Sequence, residues 1–543
     1  MSISFQLIDS IILFLYLVLI LSVGLYSSGK KDRTTSDYFL AGRNVGWIAI
    51  GLSLFATNIS SEHFIGLAGS GASRGLAVAH FELMAIFILI FLGWFLAPIY
   101  IKSGVITMPE FLGKRYDQKS RKIFTVTSVI IYIFTKITVT LFAGGLLFQK
   151  IFGLNIYTSA IIIILITGIY TVIGGGSAVI RTHVIQGILI ILGALILTVF
   201  GLNHVGGFSG LTAKLPEHFF QMFKPINDPD FPWTGIIFGA PILAYWYWCT
   251  DQFIVQRILS ARSVNDACRG SILAATLKIT PIFILVLPGL IAVAIFPEVK
   301  GDEAYPTLLA SNILPMGLKG VVVAGLLGAI MSSLASVFNS TASLFTNDFY
   351  KLKNPDSSER KLVLVGRLAT TATVVIAIFC VPLVKVIANQ VYVYLQSLQA
   401  YLSPPITAVF LFGLLSKKVN AKGAVWTLVI GELLGLSRLF IEMFVDSANV
   451  DNPIFLTFVK INYLHFAILL FVVSTVLIFT ISYLTQSAAE TRKSKTTYTL
   501  IENFKQIIVS RSSSMDGAAN IKLNLTFSAL LIFIIISIWG LLG

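Results

Sequence analysis

Three clusters of polar residues interrupt runs that are otherwise apolar. Residues 51–71 carry Asn58, Ser60, Ser61, Glu62 and His63 near their middle, followed by Gly66, Gly69 and Gly71. The stretch Trp246-Tyr-Trp-Cys-Thr-Asp-Gln252 is the second cluster, and Ser332, Ser333, Ser336, Asn339, Ser340 and Thr341 form the third. An ionisable group at bilayer depth costs about 2.5–3.5 kcal/mol even on the lenient insertion scale, so such residues belong against protein or a wet cavity. Two chemistries suit them. Hydroxyl and freed carbonyl oxygens match a hard, weakly held cation. Carboxylate, amide, ammonium and imidazole groups match the hydroxyls of a polyol, while an aromatic face covers its C–H side.

The ionisable residues that matter are Glu62, His63, Glu82, Lys136, His183, Asp251 and Lys278. Each also has a purely structural reading. Lys136 can snorkel to the interface, Asp251 can pair with Arg257, and His183 can be a satisfied core imidazole. The group says more than its members, because Glu62, His63 and Glu82 fall on neighbouring segments with Lys278 in the other half. Gln396 adds an amide, and Tyr247 and Trp248 add rings that interfacial anchoring would explain equally well. The serines of the third cluster can equally serve close helix packing.

The elements that must position these residues follow from composition. The chain has 543 residues, 56% hydrophobic and 12% charged, against roughly a quarter charged in ordinary globular chains. Runs such as Ile11–Val23, Ile185–Leu202 and Leu525–Gly543 sit in stretches near the ~20 residues that cross a bilayer. The spacing predicts an all-α integral membrane protein of about fourteen helices. Their cores fall at 9–27, 46–70, 76–101, 122–150, 155–174, 178–203, 234–256, 270–297, 306–345, 362–381, 390–415, 422–445, 454–485 and 523–542.

The net charge of +14 does not point to nucleic acid, since the bases punctuate the apolar runs instead of forming one domain. Lys30, Lys31 and Arg33 follow the first predicted span; Lys102, Lys114, Arg115, Lys119, Arg121 and Lys122 follow the third. Further bases follow the seventh (Arg257, Arg262, Arg269), ninth (Lys351, Lys353, Arg360, Lys361), eleventh (Lys417, Lys418, Lys422) and thirteenth (Arg492, Lys493, Lys495, Lys505, Arg511). Loops after even-numbered spans are poorer in base, with Lys385 alone after the tenth, and hold Asp228, Asp230, Glu298, Asp302, Glu303, Asp446 and Asp451. The positive-inside rule then places both termini outside a cell membrane. Cys249, Cys268 and Cys380 form no disulfide framework. The first run lacks a basic leader and reads as a retained span.

Irregular backbone at membrane depth lines protein or a water-filled cavity, and a broken helix frees carbonyls and helix ends for ions. The clusters at 58–63 and 246–252 predict two such breaks, five spans apart, as an inverted five-helix repeat requires. The expected organisation is an extra helix and loop (1–45), a first five-helix repeat with an external loop (46–233) and a second repeat (234–416). Peripheral helices (417–486), a cytoplasmic linker (487–521) and a last helix (522–543) complete it.

At these residues the chain resembles the sodium/glucose cotransporter branch of the sodium/solute symporter family. The blocks that carry the resemblance are Asp37-Tyr-Phe-Leu-Ala-Gly-Arg43, Ser61-Glu-His-Phe-Ile-Gly-Leu-Ala-Gly69, Pro98-Ile-Tyr-Ile-Lys102 with Thr107-Met-Pro-Glu110, Trp246–Gln252 with Val255-Gln-Arg257, and Ser332-Ser-Leu-Ala-Ser336 with Phe338-Asn-Ser340. The resemblance implies a leucine-transporter-like core of inverted five-helix repeats working by alternating access. It implies a sodium site on the carbonyls of Ala56, Ile59 and Ala329 and the hydroxyls of Ser332 and Ser333. It implies a sugar site on Asn58, His63, Glu82, Lys278 and Gln396, with Tyr247 as inner gate beside Trp248 and an outer gate of Leu67, Phe81 and Tyr392. Where relatives carry Asp after Thr182, this chain has His183, and Ala335 stands where a second sodium would want a hydroxyl; one coupled sodium is expected. Ala244 occupies a position that is polar in many sugar-transporting relatives.

The expected function is secondary active uptake of a glucose- or galactose-type sugar driven by inward sodium movement, with membrane lipid as surroundings and no organic cofactor. The alternative solutes are myo-inositol, another polyol, a vitamin or an anion. A membrane sugar receptor is a third reading. An enzyme is not expected, because the sequence shows no His-rich haem pairs, no metal-spaced Cys/His cluster and no acid dyad facing a soluble domain.

Overall fold

The computed structural model describes residues 6–27, 34–381, 391–445, 452–486 and 515–542. The expected linker lies largely outside the described residues, as do the bases at 30–33 and 492–511, Lys385, Asp446 and Asp451. The described chain is helical throughout, with two isolated bridge pairs, Val45 with Ala261 and Lys224 with Pro232, as its only extended pairings.

Eleven described helices are long and apolar enough to cross a membrane. That count falls short of the fourteen expected, and the difference sits where helices are joined or broken. Ile156–Val205 is counted once but holds two helices that meet at a kink at Gly175, whose φ of 53° lies in the left-handed region, in keeping with the separate expected spans 155–174 and 178–203. A Cβ at Gly175 would lie 2.4 Å from the Tyr38 carbonyl, so glycine is what lets the chain turn against the Thr35–Leu40 helix. Trp47–Asn58 is a shorter apolar helix that stops where the polar cluster begins, at Ile59 (ψ 108°).

Three boundaries differ from the sequence-based expectation. The expected span 306–345 is two helices, Ala304–Ala310 and Leu318–Leu344, because Pro315 has no amide hydrogen and Gly317 takes φ 84°. The expected span 454–485 is Pro453–Lys460 followed by Tyr463–Leu484. There Asn462 restarts the helix by accepting the Leu464 N–H at 2.8 Å. The expected span 270–297 loosens at Lys278, between Val264–Leu277 and Leu287–Ile295.

The helix over Leu318–Leu344 is the axis of the bundle. Every residue from Val322 to Leu344 is buried, which an all-round apolar and small-residue sequence permits. It packs along Ile156–Val205, where glycines on both sides allow backbone contact: a Cβ at Gly325 would meet the Leu189 carbonyl at 2.5 Å, and one at Gly193 the Val321 carbonyl at 3.1 Å. Trp47–Asn58 lies against Val264–Leu277, Ile156–Val205 and Leu318–Leu344, so the first break is surrounded by core helices.

Candidate functional site

The first break runs from Asn58 to a π-helical turn at His63–Leu67, after which Ala68–Arg74 resumes the helix. The second is a π-helical turn at Trp246–Thr250, ended by extended backbone at Asp251 and followed by Gln252–Leu259. Asp251 caps that helix, with Oδ1 accepting the Phe253 N–H at 3.1 Å and the Tyr132 hydroxyl. Both breaks coincide with the clusters singled out in the sequence.

Between the breaks lies a cavity with about 560 Å³ of unfilled space, counting the part open to solvent. It is lined by all seven expected sugar-site residues: Asn58, His63, Glu82, Tyr247, Trp248, Lys278 and Gln396. Of the expected gate residues, Phe81, Tyr247 and Tyr392 line it as well. Leu67 does not; it is buried within the π turn. Glu62 and Gln399 also line the cavity. Glu62 stood out in the sequence as an intramembrane acid. Gln399 did not, although it follows Gln396 by three residues on one helix and so shares its face.

Polar contacts join the site across four helices. Lys278 Nζ donates to Asn58 Oδ1 at 2.6 Å and pairs with Glu82 Oε2. Asn58 Nδ2 donates to the Tyr247 hydroxyl at 3.1 Å. His63 stands between two acids, Nε2 at 3.7 Å from Glu82 Oε1 and Nδ1 at 3.7 Å from Glu62 Oε1. Lys278 is 1% exposed and Glu82 3%; charges buried this deeply persist only when paired and hydrogen-bonded. The Lys278 ammonium lies 5.6 Å from the Trp248 ring centre. The rings of Phe81 and Tyr392 meet edge to face at 5.9 Å, and His63 meets Tyr392 at 6.0 Å. Gly66 permits this approach, since a Cβ there would lie 2.7 Å from the Tyr392 nitrogen.

The residues expected to hold a cation also come together. Ser332 Oγ donates to the Ala56 carbonyl at 2.6 Å, with the Ala329 carbonyl at 3.0 Å. Ser333 Oγ donates to the Thr57 carbonyl at 3.2 Å. Ile59 caps the same helix end in an extended conformation, freeing its carbonyl from the helical pattern. The donor set is neutral oxygen throughout, which fits a hard monovalent cation.

Beside this set, His183 is fully buried. Its Nδ1 lies 3.0 Å from Ser53 Oγ and 3.2 Å from Thr57 Oγ1, and Thr57 Oγ1 lies 3.1 Å from Ser336 Oγ. Lys136 does not snorkel: it is 5% exposed, with Nζ 4.1 Å from the Tyr247 ring centre and 4.9 Å from that of Phe253. Nor does Asp251 pair with Arg257. Six residues along the helix put them on different faces, and no nitrogen of the buried Arg257 has a hydrogen-bond partner among the described residues.

Residues 38–431 match the model of the sodium:solute symporter family. Sodium/glucose cotransporter 1 of Ovis aries is 38% identical over 527 residues, covering 89% of this chain and 79% of that protein. Sodium/myo-inositol cotransporter 2 of Sus scrofa is 39% identical over 530 residues, covering 90% and 78%. Among solved structures, a Na+-coupled sialic acid symporter in a substrate-bound outward-open state superposes with a TM-score of 0.74 at 22% identity, covering 89% of this chain and 99% of that one. A nucleobase-cation-symport-1 family transporter in a closed conformation gives 0.54 at 15% identity, covering 86% and 99%. The likeness carries the leucine-transporter-like core that the resemblance implied, and by family and fold this multi-pass membrane protein belongs to the sodium:solute symporter family.

Proposed function

We propose that the chain couples inward movement of one sodium ion to uptake of a glucose- or galactose-type sugar by alternating access. The observation that carries this reading is that one helix end serves both ligands. Ala56 and Thr57 present carbonyls to Ser332 and Ser333, and Asn58, the next residue, reaches into the cavity to Lys278 and Tyr247.

In this reading sodium is held by the carbonyls of Ala56, Ile59 and Ala329 and the hydroxyls of Ser332 and Ser333. Its arrival fixes the end of Trp47–Asn58 and so aims Asn58. Sugar hydroxyls donate to Glu82 and Glu62 and accept from Lys278, which has a third N–H to give beyond those directed at Glu82 and Asn58. Gln396 supplies an amide, and His63 completes the polar wall. The rings of Tyr247 and Trp248 cover the apolar sugar face. Phe81 and Tyr392 close one side of the cavity as the outer gate, and Tyr247 closes the other. Ligand binding drives the cycle only through its different affinity for the two states.

His183 supports a stoichiometry of one. Its Nδ1 sits within hydrogen-bond distance of the Ser53 and Thr57 hydroxyls, and a neutral imidazole is a poor sodium ligand. One sodium moving across −100 mV supplies ~2.3 kcal/mol from the field alone. The basic end of the bundle is cytoplasmic in this account, placing both termini outside a cell membrane, with residues 487–521 as a cytoplasmic linker.

The relatives' names divide between glucose and myo-inositol, so the test is a solute panel. Proteoliposomes holding the purified protein should accumulate glucose or galactose under an inward sodium gradient and fail to do so under a potassium gradient. Sodium-driven accumulation of myo-inositol alone would move the substrate to the cyclitols. Sugar binding without sodium-driven flux would favour a receptor.

A further inference from the structure

A buried ammonium needs an anion or an electron-rich face beside it. Lys136 has only the second. Among the described residues it forms no hydrogen bond and no ion pair, and its Nζ lies 4.1 Å from the ring centre of Tyr247, 4.9 Å from Phe253 and 6.0 Å from Trp246. The carboxylates in electrostatic reach are Asp251 and Glu62, one at each break. Asp251 has a buried oxygen, Oδ2, with no hydrogen-bond partner.

Lys136 lies in a π-helical turn, Tyr132–Ile137, within the fourth span. Tyr132, Lys136 and Thr140 follow at four-residue intervals and stay close to one side of that helix. Tyr132 donates its hydroxyl to Asp251 and accepts the Phe253 N–H at 2.9 Å. The Thr140 carbonyl accepts the Ser61 hydroxyl at 3.0 Å. One side of one helix therefore touches both broken helices, and its one charge between Tyr132 and Thr140 faces the ring read here as the inner gate.

We infer that Lys136 is the positioning residue of that gate. Its ammonium holds the Tyr247 ring by its face while the cavity is closed on that side, and shifts to the free oxygen of Asp251 when the ring swings away. Gate opening thus exchanges an aromatic partner for an anionic one and leaves no bare charge in either state. The inference rests on the reading of the chain as a sodium-coupled sugar symporter and adds a residue that touches neither ligand.

The test compares Lys136→Met, Lys136→Arg, Asp251→Asn and the double variant Lys136→Met/Asp251→Asn in proteoliposomes. Sugar Kd is read by tryptophan fluorescence in sodium, and turnover by both net uptake and sugar counterflow. Lys136→Met should keep sugar Kd within about threefold while lowering Vmax at least about tenfold, a split that lost packing would not produce. Lys136→Arg, which also stacks on rings, should recover a large share of Vmax. The double variant should be no slower than the slower single variant, since both changes remove one interaction. Wild-type Vmax in Lys136→Met, parallel loss of Kd and Vmax that arginine fails to rescue, or additive losses in the double variant would each overturn the inference. If the wild type itself exchanges sugar without any sodium response, the functional reading fails instead, and counterflow still decides the role of Lys136.

Discussion

Ser332 Oγ lies 2.6 Å from the carbonyl of Ala56, two residues before the amide side chain of Asn58 that Lys278 grips at 2.6 Å. The proposed cation set and the proposed sugar set are thus consecutive on one helix end, and communication between them needs no long relay. A helix ending at Asn58 is stiff enough to pass a small displacement of its last carbonyls directly to its last side chain.

The cation set makes the first prediction. Ser333→Ala and Ser332→Ala each remove a neutral oxygen from the proposed site and from the bond to Thr57 or Ala56. Half-saturating sodium for uptake should rise at least about tenfold, equivalent to ~1.4 kcal/mol, with sugar Kd at saturating sodium little changed. Sodium titrations of uptake that leave both variants at the wild-type half-saturation would remove the site.

The buried pair makes the second. Lys278 and Glu82 are each almost wholly enclosed. Removing one partner of a buried pair strands the other charge and costs about 3–5 kcal/mol, whereas replacing both by apolar groups is often neutral. Lys278→Met should lower the melting temperature and abolish sugar binding. Lys278→Met/Glu82→Leu should recover much of the melting temperature and none of the binding. Recovery of both would mean that the pair is a structural strut outside the sugar site.

The third concerns His183. His183→Asp replaces an imidazole by an anionic oxygen beside Ser53, Thr57 and Ser336. Reversal-potential measurements on the wild type should give one sodium per sugar, and the variant should show a sodium Hill coefficient above one. A wild-type ratio of two would show that the imidazole does not exclude a second ion.

Close packing at the outer gate supplies the fourth. A Cβ at Gly66 would press within 2.9 Å of the Tyr392 Cβ as well as 2.7 Å of its nitrogen. Gly66→Ala should displace the ring that meets Phe81 and cost about 1–3 kcal/mol of stability. Uptake should fall further than that of Gly540→Ala, a control whose new methyl meets nothing within 4 Å and whose backbone is not left-handed. Equal behaviour of the two would deny Tyr392 a gating role.

Much of this site was legible because lipid makes polar residues conspicuous. Asn58, Glu62, His63 and Asp251 stand out in apolar runs, and both breaks fall on them. The family resemblance then implied roles for Glu82, Lys278 and Gln396, which lie outside its quoted blocks and which a lone sequence could not have brought into one cavity. What stayed hidden was geometry that composition does not encode. Gly174–Gly176 fall at the junction of the expected spans 155–174 and 178–203, but only the fold shows the left-handed kink at Gly175 through which the two helices meet. Lys136 has the flexible stem that reaches an interface, and only the fold shows that the rings of Tyr247 and Phe253 hold it inside. Asp251 and Arg257 are close in sequence, yet capping aims one at Tyr132 while the helix turns the other away. Leu67 matched a gate by motif, but the π turn at 63–67 buries it away from the cavity.

The most direct test of the shared helix end is reciprocal binding at equilibrium. Glucose Kd should be measured in detergent by tryptophan fluorescence with and without sodium, and sodium Kd with and without glucose. The account predicts that each ligand tightens the other by the same factor, between about 5- and 150-fold as two-site coupling allows, and that Ser333→Ala reduces both factors together. Sugar affinity that is identical in sodium and in potassium would contradict it.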